Sequence, residues 1–187
     1  MLRQAAALLV LALLTAAAAP AAKAPTPKAA AAKAAPPAKA PAPKPAAAFE
    51  PGDPSSLVGL LNAAGARAQL GQRAQDTVQV AATSPAANFS VLFVGCSAQG
   101  RDCQAAVYDS PLPGSANLQQ INGFNQSSAM CRGYQDRAGR PHVVYSVLTF
   151  ASTTREQTLA QLGGWQGCLA DFARFLKDPT SYLAEAP

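Results

Sequence analysis

The sequence predicts an α+β domain in which helices pack on an antiparallel sheet. Three observations carry that prediction. A long closing segment repeats apolar residues at helical spacing, several short runs have strand character, and a turn-rich join separates two alternating runs. Turn-linked strands pair antiparallel, so the expected order is α-β-β-β-β-α-β-β-α.

The elements follow one another from Phe49 onward. Pro54-Ser55-Ser56 ahead of LVGLLNAA reads as a short helix, with a serine as N-cap and Gly65 as its stop. Arg67–Gln72 and Thr77–Ala82 are weak strand runs. Phe89–Cys96 (FSVLFVGC) is a strong one, and Gln104–Tyr108 is its shorter companion. Leu118–Phe124 reads as a second helix, ended by the polar cluster Asn125–Ser128. Ala129–Gln135 and His142–Phe150 alternate as strands do, and Asp136-Arg137-Ala138-Gly139-Arg140-Pro141 between them has turn composition, which predicts a hairpin. Thr153 or Thr154 then caps a helix with Glu156 in its first turn. Its stripe is Leu159, Leu162, Trp165, Leu169, Phe172 and Leu176, and it runs to about Lys177 before Pro179 closes it. The Gly163-Gly164 pair weakens its middle by roughly 1–2 kcal/mol relative to alanines, marking a bend or close packing on the sheet.

The first 48 residues have a different character. Met1-Leu2-Arg3-Gln4 is a short basic start, Ala5–Leu14 is apolar, and Ala16-x-Ala18 offers the small residues a signal peptidase needs. The expectation is a signal peptide over 1–18, cut before Ala19. The apolar stretch is about half the roughly 20 residues a spanning helix requires, and no cysteine follows it for lipid attachment. No transmembrane segment is therefore expected after cleavage. Residues 19–48 are almost wholly Ala, Pro and Lys and hold eight of the sixteen prolines. With nothing to bury, such a segment is expected to be a disordered tether. Its reach is about 90 Å if extended at ~3.1 Å per residue.

Charge divides along the same boundary. Arg3 and Lys23, Lys28, Lys33, Lys39 and Lys44 carry six of the fifteen basic residues, leaving nine against ten acidic ones in 49–187. The domain is close to neutral, so its electrostatics give no case for nucleic acid. The lysines of the tether suit an anionic envelope surface.

Cys96, Cys103, Cys131 and Cys168 all lie in 49–187. An exported chain meets an oxidising compartment, where disulfides are the expected state. Four cysteines allow three pairings. A hairpin from the strong strand into its companion places Cys96 opposite Cys103, which leaves Cys131, mid-strand, for Cys168 on the last helix. Metal binding and thiol exchange would each want spacings that this chain lacks, such as Cys-x-x-Cys. No metal or other cofactor is expected. His142 is the chain's one histidine. It begins a strand beside Pro141, where a surface residue is the usual finding. Asp109, Asp136, Asp171 and Glu156 read as turn and helix-end residues, and no glycine-rich phosphate loop joins a strand to a helix. No catalytic residue is assigned, and the expectation is a protein that is not an enzyme.

Phe89–Phe175 resembles the YbjN family of bacterial sensory transduction regulators in the order and spacing of its motifs. An aromatic-rich strand ends in Gly95-Cys96, and a second strand carries a cysteine. Leu118-x-x-Ile121-Asn122-x-Phe124-Asn125 follows, then Arg132-x-Tyr134-x-Asp136 and Gly139-x-Pro141, and Glu156-x-x-Leu159 opens a Trp- and Phe-containing helix. Phe124 stands where that family often has Trp. The resemblance implies a fold like that of type III secretion chaperones and no catalytic residues. The motif residues have ready structural roles: Asn125 as helix stop, Gly139 and Pro141 as turn formers, Tyr134 as packing. Together these readings predict a periplasmic or secreted, non-enzymatic module that binds a protein partner, with a homodimer among the candidates. The alternative is an envelope structural protein docked through its tether.

Overall fold

A computed structural model describes residues 48–186. The signal peptide assigned to 1–18 and all but the last residue of the 19–48 tether lie outside the described residues.

Over the described residues the fold is α+β, with a six-stranded antiparallel sheet and four helices. In chain order the elements are α1 (Pro54–Ala63), β1 (Arg67–Ala74), β2 (Thr77–Thr83), β3 (Asn88–Val94), β4 (Ala105–Pro111), α2 (Leu118–Ser127), β5 (Arg132–Gln135), β6 (Pro141–Leu148), α3 (Arg155–Lys177) and α4 (Pro179–Glu185). The strands lie in the order β1-β2-β3-β4-β6-β5. β5 and β6 form the expected hairpin around Asp136–Arg140, where Gly139 adopts φ +75°. β6 pairs with β4, with Tyr145 opposite Tyr108 and Val144 opposite Asp109.

Alternate side chains of β2, β3 and β4 are buried, and the helices supply the other half of the core. Val80, Val91, Phe93, Tyr108 and Val143 are at most 1% exposed. Trp165 of α3 sits with ring centroids 5.6 Å from both Phe89 and Tyr108. A second aromatic group joins α2 to the end of α3, with Phe124 4.9 Å from Phe172 and 5.1 Å from Phe175. Each large side chain buried in this way contributes about 1.5–3 kcal/mol of transfer free energy.

Several local expectations are corrected. The N-cap of α1 is Asp53, whose carboxylate accepts from the Ser55 N–H at 2.8 Å, while Pro54 takes the first helical position. α2 continues past Phe124 to Ser127, so Asn125 is a helical residue and not a stop. β5 begins at Arg132, which puts Cys131 just ahead of the strand and not within it. Asp109 lies inside β4 and Asp171 inside α3, away from the turns and helix ends expected for them. Pro179 does end α3, and it also opens α4, with Asp178 as N-cap. On α3, Leu159 falls outside the buried stripe, and Thr158, Cys168 and Phe175 fall within it.

Candidate binding surface

Disulfides Cys96–Cys103 and Cys131–Cys168 cross-link the domain at two places. The first closes the loop between β3 and β4. The second ties the approach to β5 onto α3. No free cysteine remains.

The motif from α2 to β6 assembles into one region. Ile121 and Phe124 are buried, whereas Asn122 is exposed. The Asn125 side chain accepts the Gly133 N–H at 2.6 Å and donates to the Gly133 carbonyl at 3.0 Å. That amide acts as a short length of extra backbone and holds α2 against edge strand β5. Gly133 has no alternative there, since a Cβ would lie 2.7 Å from the Phe172 ring. Arg132 donates to the carbonyls of Ser128 and Cys131 at 2.8 and 2.7 Å, and Gln135 to that of Ala116 at 2.8 Å.

Tyr134, Asp109 and His142 form a polar network across β5, β6 and β4. Tyr134 donates its hydroxyl to Asp109 at 2.8 Å, and His142 Nδ1 lies 2.9 Å from the other carboxylate oxygen. The rings of Tyr134 and His142 stack at 4.8 Å. Burial, reinforced by the bond to Asp109, pushes the Tyr134 phenol up to about 12. His142 is buried, contrary to the surface position expected for it. Its Nε2 is covered and has no hydrogen-bond partner, with Asp136 Oδ2 3.6 Å away. Asp136 is held mainly by the Arg140 backbone N–H at 2.9 Å and also by the Arg140 guanidinium at 2.7 Å, which brings its carboxyl down to about 2. An Asp–His pair is a familiar base arrangement, but here the nitrogen that would act faces a carboxylate under cover. The geometry is that of a latch across three strands. Pro141 opens β6 directly beside it.

The residues alternating with the core on β3, β4 and β6 face the other way, and no helix among the described residues covers them. Leu92 is opposite Val107, and Val107 is opposite Ser146, while Leu148 is opposite Ala105. Leu148 is 57% exposed and Leu92 40%, with Val94, Val107 and Val144 half-buried around them. Toward the latch the same face turns polar. There a shallow cleft of about 720 Å³ is lined by Arg67, Gln69, Asn88, Ser90 and Asp109. This sheet face therefore carries an apolar band beside a cleft of mixed lining, in which Ala81 and Pro111 stand among the polar groups.

The sequence reading gave no special place to this face. Its signal was Leu92 and Leu148, apolar residues at positions whose alternation points them away from the core. Among the described residues no cluster of His, Cys, Asp and Glu could hold a metal ion, and no helix is long and apolar enough to cross a membrane. No family model, curated protein or solved structure matches the chain.

Proposed function

We propose that this chain is a non-enzymatic binding module of the bacterial cell envelope, periplasmic or secreted, that holds a protein partner against its open sheet face. The observation that supports it most is the apolar band of Leu92, Val107 and Leu148 on a face that no helix of the described residues covers. A rim of hydrogen-bonding groups from Gln69 to Asp109 lies beside it, which is the arrangement of apolar centre and polar edge found in protein interfaces. Two disulfides in one small domain fit an oxidising compartment, and the leader at Met1–Ala18 supplies the route. The resemblance to YbjN proteins, with a secretion-chaperone-like sheet and no catalytic residues, points the same way.

A photo-crosslinking side chain placed at Leu92 in the native host tests this. A discrete protein adduct should form there and not from a crosslinker at Leu118, which is more exposed than Leu92 but lies on α2. Equal adducts from both positions, or none from Leu92, would reject the reading.

The five lysines of the tether support a second reading, an envelope structural protein docked on an anionic surface. That reading predicts salt-sensitive fractionation, lost when Pro20–Ala48 is deleted.

A further inference from the structure

On the opposite side of the molecule, α1, the β2–β3 turn and α3 enclose a groove of about 540 Å³. Its walls come from Leu61, Pro85, Phe89, Leu162, Trp165 and Leu169, with Leu159 at the rim. No charged side chain lines it. Leu159 to Leu169 sets its run along α3 at about 15 Å, from ~1.5 Å of rise per residue. The volume lies within the range of small-molecule sites.

Two features mark the groove as unfinished. Gly163 stands in its lining, and a Cβ there would have nothing within 4 Å. A glycine in mid-helix is unfavourable for the helix, and here no neighbouring atom requires it. By contrast, a Cβ on Gly164 would meet the Tyr145 hydroxyl at 3.1 Å. The second feature is the indole N–H of Trp165, a lining residue, which is buried and has no acceptor among the described residues. Buried donors are normally satisfied.

The geometry points to a binding site for a single unbranched acyl or alkyl chain with an uncharged head, lying along α3 over Gly163. The trench runs along α3 and is mostly apolar, which suits an extended chain better than a compact ring. With no Lys or Arg in the lining, nothing would neutralise a carboxylate or phosphate. Ser84 and the exposed Gln166 amide are the polar groups available to a hydroxyl, ester or amide head. This site is separate from the open sheet face and independent of the function proposed for it.

Trp165 is the chain's one tryptophan, so it is the one indole that a ligand in this groove can quench. The test titrates the protein purified from its host with ω-bromoundecanol, whose heavy atom quenches indole at contact. Saturable quenching is expected. Gly163→Leu, which fills the trench, should weaken it by about tenfold or more without lowering the melting temperature. Gly163→Ala should give a smaller loss and serves if the leucine variant does not fold. Absence of saturable quenching in the parent protein would overturn the proposal, as would equal affinity in folded Gly163 variants. A shift in Trp165 emission on adding an amphipathic helical peptide, in a protein that ignores the alcohol, would also overturn it, assigning the groove to a protein segment.

Discussion

Gly133 shows how much one residue can carry in this domain. It lies at the meeting of β5, the Asn125 amide and the Phe172 ring, and a Cβ there would stand 2.7 Å from an aromatic carbon that is fully buried. Gly133→Ala should destabilise the domain by about 1–3 kcal/mol, the usual cost of overpacking a closed core, read as a lower denaturant midpoint. Neither this contact nor the Asn125 clamp was legible beforehand. Asn125 in a polar run reads as a helix stop, because its true partner is a backbone across the fold. His142 reads as a surface residue for a related reason: the Tyr134 ring that stacks on it comes from the neighbouring strand. Tyr134 itself yields a pH prediction. Its phenol titrates at about 12 in the fold, above the roughly 10 of a free tyrosine. The folded state therefore holds this proton more tightly, so the contribution is complete below about pH 10 and disappears as pH rises through about 12. Melting temperature should fall over that interval, and it should fall less in Tyr134→Phe.

At the scale of elements, α3 was the most legible because its signals are local. Thr154 accepts from the Gln157 N–H at 3.2 Å and Gln157 reaches back to the Thr154 N–H at 2.8 Å, a capping box written in four consecutive residues. Thr154→Ala should cost about 1 kcal/mol, measured by thermal or denaturant unfolding. The glycine pair of α3 separates into two roles that sequence alone leaves merged. Gly163→Ala should stabilise the helix by up to about 1 kcal/mol, since open space surrounds the new methyl group. Gly164→Ala should lose that gain, because the Tyr145 hydroxyl must move to admit it. A comparison of the two melting temperatures checks the difference. Strand ends were read less well, with β5 four residues long where a longer run was expected. Its first residues leave the sheet to reach the disulfide at Cys131.

For the whole molecule, the sequence pattern conveyed the order of elements and the sidedness of the sheet, but not which faces would be left open. Alternation along β3 specifies an inner and an outer row. Whether a helix covers the outer row depends on how the connections run. Here the core lies on one side, and two disulfides secure it at separations of 7 and 37 residues. Loop-closure entropy makes the longer link the stronger one. Replacing Cys131 and Cys168 by serine should cost about 4 kcal/mol, against about 2 kcal/mol for Cys96 and Cys103, as read from denaturant midpoints. Such losses would leave the open face chemically unchanged, whereas charging that face should do the opposite. The most direct test is therefore adduct yield from the crosslinker at Leu92 when Leu148 is changed to lysine. Leu148→Lys should keep the parent melting temperature and both disulfides by intact mass, yet lose the adduct. An undiminished adduct from a folded Leu148→Lys protein would contradict the claim that this sheet face holds the partner.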